Sequence, residues 1–306
     1  MNTTVFKAGT DDNGRRVDMF LAIQLQDMSR SYVQKLIKEE RVRINDKIVP
    51  ASCKLCAGDM VFVEIPDASV LEVVAEEIPL DILYEDDDVI LVNKPKGMVV
   101  HPAVGHTSGT LVNALMFHCK DNLSSINGIL RLGIVHRIDK DTTGILIACK
   151  NDKAHSRIAE QLEKHSVTRR YYAICHNSFS VTEGTVNAPI GRNPNDRKKM
   201  AVNYTNGKPA VTHYRVLENF QKHALIECRL ETGRTHQIRV HMASIGHPIL
   251  GDENYCNVKN TYHLQGQTLH AGIFGFIHPS TGEYMEFSAP LPKYFEALLQ
   301  KFRNVN

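Results

Sequence analysis

The sequence predicts an α+β protein: a mixed, mostly antiparallel β-sheet domain preceded by a small unit of helices and a hairpin. Three observations carry this. Apolar residues recur at helical spacing before residue 40 and give way, from Ile82 onward, to strand-like segments such as 89–93, 144–150 and the pair 212–217 and 224–230. No period of roughly 20 to 50 residues recurs, so a repeat array is excluded. The stretch 66–90 holds nine acids and no Lys or Arg, and separates the two units. The expected organisation is a first unit over 15–66, an acidic, proline-flanked linker over 67–81 and a larger domain over 82–306.

At 306 residues, 42% hydrophobic and 23% charged, the chain can bury a sizeable core in about two domains. Collagen-like, low-complexity and wholly disordered classes are excluded. No run of about 18 apolar residues is present, so no membrane span is expected. The polar first 14 residues lack a basic start, an apolar core and a small-residue cleavage site, so no secretory leader is expected. Seven cysteines, an odd number scattered along the chain, read as reduced thiols of a cytoplasmic protein. The formal net charge of +2 hides an uneven distribution: residues 91–306 carry 26 Lys plus Arg against 16 Asp plus Glu, and residues 11–65 nine of each. A basic body fits a phosphate-rich partner; an ordinary solvated surface accounts for it equally well.

In the first unit Val17, Phe20, Leu21 and Leu25 form a helical stripe. Ser29 is suited to cap a second helix, with Val33, Leu36 and Ile37 inward and Arg30, Gln34, Lys35 and Lys38 outward. Residues 42–49 form two short strands about an Asn45-Asp46 turn, and another strand spans 60–65. Such a unit is too small for an active site and suits recognition. In the second unit 89–93 is a strand, Asn93-Lys94-Pro95-Lys96-Gly97 a turn, and 144–150 an apolar strand. Residues 151–164 form a helix with Ala154, Ile158 and Leu162 on one face, 168–174 a strand and 235–244 a short helix.

The densest polar cluster, His136-Arg137-Ile138-Asp139-Lys140-Asp141-Thr142-Thr143, lies between apolar residues that lead in and out. It reads as a polar loop held by two buried strands, a common mounting for chemistry. An Asp beside a guanidinium can serve as nucleophile or base; a salt-bridged turn shows the same pattern. In the second cluster, Thr232 to His241, a strand-to-helix turn capped at Thr235 or its neighbour offers an anion site, with Arg234 as a fixed cation. His236 and Arg239, three apart, share a helical face. His236 and His241, five apart, pair poorly as ligands, and no metal is expected. Cys53 and Cys56 lack the second pair a zinc site needs and read as buried thiols. No phosphate loop or dinucleotide fingerprint is present, so no nucleotide cofactor is implied.

The order of the first unit, with Arg16-Val17-Asp18 opening helix one and Ser29-Arg30-Ser31 helix two, resembles the S4 RNA-binding domain. That resemblance implies RNA contacts for Arg30, Lys35 and Lys38. The segments His136 to Gly144 and Gly233 to His241, with Gly246-His247-Pro248-Ile249-Leu250-Gly251-Asp252 after them, resemble the RluA family of pseudouridine synthases. Arg170-Tyr171-Tyr172-Ala173, Asn93-Lys94-Pro95-Lys96-Gly97 and Val100-His101-Pro102 match its other motifs, in order, over about residues 82–300. The S4-like unit, Val99 to Pro102 and Gly207 to Tyr214 are most similar to the RluD-like branch, which modifies uridines in the helix 69 loop of 23S ribosomal RNA.

The resemblance implies an isomerase that breaks the C1′–N1 bond of a flipped uridine, rotates the uracil and rejoins it through C5, with no cofactor. Asp139 is then the essential acid, either as a nucleophile or as the base that takes the C2′ proton. Arg234 is the expected ion-pair partner of Asp139, Tyr171 the ring that stacks on uracil, and Arg137, beside His136, the RNA contact that fills the gap left by flipping. Arg197, Lys198 and Lys199, in a polar stretch read as an exposed loop over 191–200, are candidate phosphate contacts. The expected partner is large-subunit ribosomal RNA or its precursor, bound by a monomer. The same chemistry on another ribosomal or transfer RNA site, an RNA-binding ribosome-assembly factor, and a metal-free hydrolase using Asp139 and Asp141 are the alternatives; the two acids are too close on one loop to flank a bond as such hydrolases require.

Overall fold

The computed structural model describes residues 2–304 except 26, 27, 29, 66–72, 103–105, 121, 197 and 198, and the chain divides into two units, Met1–Leu71 and Glu72–Asn306.

The first unit joins helices α1 (Val17–Gln24) and α2 (Arg30–Lys38) to a four-stranded antiparallel sheet. Its strands are β1 (Asn2–Lys7), β2 (Val42–Ile44), β3 (Lys47–Ile48) and β4 (Met60–Ile65), in the order β1-β4-β2-β3. The two helical stripes read from the sequence meet here: Val17, Phe20, Leu21, Val33, Leu36 and Ile37 pack on Val42, Ile44, Val61 and Val63. Strand β1 was not expected. It is an edge strand whose polar residues give little alternation, and its pairing with β4 (Asn2↔Ile65 to Lys7↔Met60) fixes it instead. The proposed cap Ser29 lies outside the described residues. Cys53 is half-buried and Cys56 exposed, so the expectation of two buried thiols is corrected; a short turn at the sheet margin leaves Cys56 in solvent. The buried carboxylate of Asp18 accepts from Arg16 Nε (3.0 Å), Arg30 Nη2 (2.9 Å) and Gln34 Nε2 (2.8 Å), which fixes two half-exposed guanidinium groups at the surface. Burial disfavours the Asp18 charge, but these bonds outweigh it and hold its pKa well below the usual carboxylate range.

The second unit is built on one sheet. In chain order its elements are β5 (Ile82–Glu85), β6 (Val89–Lys94), α3 (Leu111–Cys119), β7 (Thr143–Cys149), α4 (Asp152–Glu163) and β8 (Thr168–His176). Next come β9 (Glu183–Asn187), β10 (Ile190–Arg192), β11 (Met200–Val202), β12 (Val211–Asn219) and β13 (His223–Leu230). The chain ends with α5 (Gln237–Ser244), β14 (Leu269–Ile277), β15 (Tyr284–Ser288) and α6 (Lys293–Arg303). The sheet runs β5-β6-β7-β14-β8-β13-β12-β9, with β15 on β14, and every pairing but β7–β14 is antiparallel. The α+β expectation therefore holds. Every residue of β7 is buried, as a central strand covered on both faces requires. Leu146 and Ala148 enter one core with β8 and β13; Ile145, Ile147 and Cys149 enter the other beneath α4. Helix α4 is capped by Asn151, whose Oδ1 accepts from Ala154 N–H at 2.8 Å, and it buries Ala154 and Ile158.

The linker expected over 67–81 is shorter than its acidic composition implies. From Val73 the chain lies on the second unit: Val73 is buried in its core, Asn113 Nδ2 donates to the Val74 carbonyl (2.7 Å), and Glu76 N–H donates to the Asn113 carbonyl (3.0 Å). The acids that follow are partnered rather than repelling, Glu85 with Lys150 (2.8 Å) and Asp86 with His278 (2.8 Å). The loop expected over 191–200 is in part a hairpin, since β10 and β11 pair from Ile190↔Val202 to Arg192↔Met200. Among the described residues no helix is long and apolar enough to cross a membrane.

Strands β7 and β14 pair only at His270↔Thr143 and Ala271↔Gly144. Gly144 has φ +104°, and a Cβ there would lie 2.2 Å from the Ala271 carbonyl oxygen. Only glycine allows this contact, which closes the sheet beneath the polar loop. Gly144→Ala is expected to lower the unfolding free energy by about 3 kcal/mol or more, measured by urea titration; a loss below ~1 kcal/mol would show that the junction relaxes freely.

Candidate active site

The polar loop 136–142 enters β7, as its flanking apolar residues predict. Its backbone is fixed from below. Lys94, buried at the end of β6, donates its three ammonium protons to the carbonyls of Pro95 (2.8 Å), Met98 (2.9 Å) and Lys140 (2.9 Å). Gly97 N–H also donates to the Lys140 carbonyl, and Thr142 N–H to that of Asp139. Burial pulls the Lys94 pKa down to about 7, against the opposing charges of Asp141 and Asp139. The turn 93–97 thus holds the loop in place, and Ile138 anchors it in the core.

Asp139 projects from this loop into a cleft of about 540 Å³, lined also by Arg137, Arg169, Tyr171, Arg234 and His236. Its side chain is 16% exposed, and Oδ2 accepts from Arg239 Nη1 at 2.9 Å. Arg239 in turn holds the buried Asp252 with Nε (2.6 Å) and Nη2 (2.9 Å), a bidentate pair. Burial acts against the Arg239 charge, but Asp252 foremost and then Asp139 more than offset it and raise its pKa. Asp252 Oδ1 also accepts from the N–H groups of Asn254 (3.0 Å) and Tyr255 (3.3 Å). His236 Nε2 lies 3.7 Å from Asp139 Oδ1, while its Nδ1 is 2.7 Å from Tyr255 Oη. Burial lowers the His236 pKa, with Asp139 opposing.

The expected partner of Asp139 is therefore corrected from Arg234 to Arg239. Arg234 lies in the turn before α5, and its Nε donates to the Pro209 carbonyl (3.0 Å). The first turn of the helix brings Arg239 over the carboxylate instead. The shared face of His236 and Arg239 was visible in the spacing, and both residues do point at Asp139. Of the two cap positions offered, Thr235 or its neighbour, the neighbour His236 is the N-cap residue, in left-handed conformation (φ 57°) with no side-chain cap bond. Gln237 Oε1 accepts from Arg234 N–H (2.9 Å) and Thr232 Oγ1 (2.8 Å), and so organises the turn. His241 turns away, onto Thr212 and the Ala188 carbonyl. Among the described residues no group of three or more His, Cys, Asp or Glu could hold a metal ion.

Tyr171, 8% exposed, lines the cleft. Burial raises its phenol pKa; Arg169 opposes this and Asp139 adds to it. Arg137 is exposed at the rim, between this cleft and a neighbouring one lined by Asp141, Glu253 and Gln267. His136, expected beside Arg137 as an RNA contact, faces inward. Its Nε2 accepts from the Ile147 N–H at 3.2 Å, and its ring stacks on Phe274 at 5.2 Å. It completes the sheet where β14 leaves β7. In the first unit Arg30, Lys35 and Lys38 lie exposed on α2, as expected. Arg197 and Lys198 lie outside the described residues; Lys199 is half-buried, with Nζ 4.0 Å from Asp196.

Burial, with Arg169 adding to it, pushes the His136 pKa down to about 3. The unfolded chain therefore binds the proton more readily, and stability contributed by the neutral ring falls as pH drops from about 6.5 towards 3. At pH 5 the loss relative to pH 7.5 is about 2 kcal/mol. His136→Gln, which keeps an acceptor but does not titrate, is expected to remove that part of the acid sensitivity. Urea titrations of both proteins at the two pH values check it, and identical losses would place the titrating groups elsewhere.

Residues 88–244 match the family model described as RNA pseudouridylate synthase, and residues 15–61 match the S4 domain. The chain is 52% identical over 303 residues, 99% of each protein, to "Uncharacterized RNA pseudouridine synthase YlyB" of Bacillus subtilis (strain 168). It is 44% identical over 297 residues to "Ribosomal large subunit pseudouridine synthase D" of Zymomonas mobilis, covering 94% of this chain and 93% of the relative. The solved structure "Human RNA Pseudouridylate Synthase Domain Containing 4" is similar with a TM-score of 0.56 at 26% identity, over 72% of this chain and 92% of that one.

Proposed function

The chain belongs to the RNA pseudouridylate synthase family, and we propose that it isomerises uridines of large-subunit ribosomal RNA, those of the helix 69 loop, with Asp139 as the essential carboxylate. One observation carries the assignment to Asp139: it is the acid that the loop 136–142 holds at a part-open cleft, ion-paired at 2.9 Å to an arginine that is itself fixed by a buried acid. The partly exposed oxygen can meet a substrate while the guanidinium prevents the side chain from swinging away. Isomerisation breaks C1′–N1 and forms C1′–C5. Asp139 serves either by bonding to the sugar as the base departs or by taking the C2′ proton, and both routes use the same position. Tyr171 stacks on the uracil and assists removal of the C5 proton. Arg137, at the rim, fills the space vacated by the flipped uridine. Arg234, no longer the ion-pair partner, remains on the cleft wall as a contact for the RNA backbone.

One further surface and the similar proteins support an RNA substrate. The S4 unit presents Arg30, Lys35 and Lys38 on one helix, with Arg30 preset by Asp18. The relatives named ribosomal large subunit pseudouridine synthase D support the ribosomal target.

Asp139→Asn is expected to lower turnover by at least roughly a thousand-fold with RNA affinity near wild type, since Asn is nearly isosteric but neither nucleophilic nor basic. Pseudouridine mapping on unmodified ribosomal RNA, beside a binding titration, checks both; turnover near wild type would overturn the assignment. Replacing Arg197, Lys198 and Lys199 with Ala is expected to weaken binding uniformly across RNA sequences. The slope of log affinity against log salt should flatten by about 0.7 to 2 units, the range for one to three phosphate contacts. Lys199 Nζ lies 4.0 Å from Asp196, a pairing that competes with a phosphate. An unchanged slope would place this turn away from RNA.

A further inference from the structure

The ion-pair network of the cleft leaves one buried cation over. Arg169 stands on β8 two residues before Tyr171, so both side chains leave the same face of the sheet, and both line the cleft with Asp139. Arg169 is only 6% exposed. A buried guanidinium is normally paired with a carboxylate, yet among the described residues no carboxylate lies within ion-pair distance of this one. Its Nη2 donates to the Glu231 carbonyl (3.2 Å), and its Nε–H has no acceptor. Gly233 keeps the space beside it: a Cβ there would lie 2.9 Å from Nη1. Burial lowers its pKa, with Tyr171 opposing, but an arginine keeps its charge. The cleft therefore holds a desolvated cation with unused donors, next to the ring assigned to stack on uracil.

We propose that Arg169 binds the carbonyl oxygens of the flipped uracil and holds the negative charge that the ring takes when it leaves the sugar. This rests on the isomerase reading of the cleft. When C1′–N1 breaks, the bonding pair departs with the ring, giving a uracil anion with charge shared between N1 and the carbonyl oxygens. When C5 bonds to C1′, as Asp139 leaves the sugar or the C2′ proton is returned, the ring becomes neutral with C5 still carrying its proton. Loss of that proton to a base and protonation of N1 then give neutral pseudouridine. The guanidinium gives up no proton; it donates hydrogen bonds that strengthen as the charge develops, in a site where water does not compete. Depth favours the base over a phosphate as the ligand. Arg169 is buried alongside Tyr171, whereas Arg137 stands exposed at the rim.

The test uses the full chain and a hairpin spanning a uridine that the wild type converts in unmodified ribosomal RNA. Arg169→Met is expected to slow single-turnover conversion by about 100-fold or more, with the dissociation constant within about threefold of wild type. Arg169→Lys should recover part of the rate, because it returns the charge without the planar fork. With an abasic nucleotide at the target, wild type and Arg169→Met should bind equally and with the same salt slope. If Arg169→Met does not fold, as judged by thermal melting, the same comparison is made with Arg169→Lys, whose rate should still fall while abasic binding stays unchanged. A wild-type rate in the variant overturns the proposal. So does weaker binding to the abasic hairpin with a salt slope shallower by about 0.7, which places the guanidinium on a phosphate. A wild-type chain that converts no uridine overturns the isomerase reading and this assignment with it, before any variant is compared.

Discussion

The active site hangs on one guanidinium shared by two acids. Arg239 reaches Asp139 with one nitrogen and Asp252 with two, and thereby ties together three segments distant in sequence: the loop before β7, the first turn of α5 and the chain approaching β14. The second acid explains why the first is usable. Paired with Asp139 alone, a buried arginine would have several unsatisfied donors and free rotamers. With Asp252 in place its plane is set, and one nitrogen, Nη1, is left to aim at Asp139. Removing Asp252 would leave the buried Arg239 guanidinium under-paired, which typically costs several kcal/mol.

The sheet supplies what such a network requires. A strand buried on both faces, β7, gives the loop a rigid root, and the buried ammonium of Lys94 fixes the Lys140 carbonyl from beneath. Strand β14 meets β7 at only two positions, so the sheet opens there. His136 accepts the Ile147 N–H at this point and restores the backbone bond that the opening would have cost. A polar residue on the cleft wall can thus be structural: its neutral ring satisfies the sheet.

These features were unequally legible in the sequence. The helical stripes of the first unit, the apolar strand β7, helix α4 and the pair β12–β13 follow from local periodicity, and the structure has them all. The loop 136–142 stood out because polar residues interrupt an apolar run. What the sequence hid was decided by contacts across the chain. Arg234 and Arg239 differ by five positions, and only the left-handed turn at His236 and the starting point of α5 decide which one meets Asp139. Strand β1 exists because β4 has a free edge. The stretch from Val73 looked like a linker because composition reports charge, while Val73 itself is an apolar anchor. The one clue to Arg239 was its spacing from His236, which placed two candidate groups on one helical face.

The arrangement separates two kinds of RNA recognition by their physics. On the surface, Arg16 and Arg30 over the buried Asp18 present cations to solvent. Charges there gain affinity mainly by releasing counterions, so their contribution is salt-dependent and indifferent to sequence. At the depth of the cleft Arg239 holds both Asp139 and Asp252, and Arg169 stands outside that network. Desolvated and out of reach of mobile ions, that residual cation is screened little by salt, and its attraction grows as negative charge develops next to it. A uridine delivered by the surface contacts would therefore meet, at the depth of the cleft, a cation whose attraction grows as the ring becomes an anion. Differential binding of that kind accelerates a reaction, whereas tighter uniform binding does not. In this division of labour affinity belongs to the outer cations and rate to the inner ones.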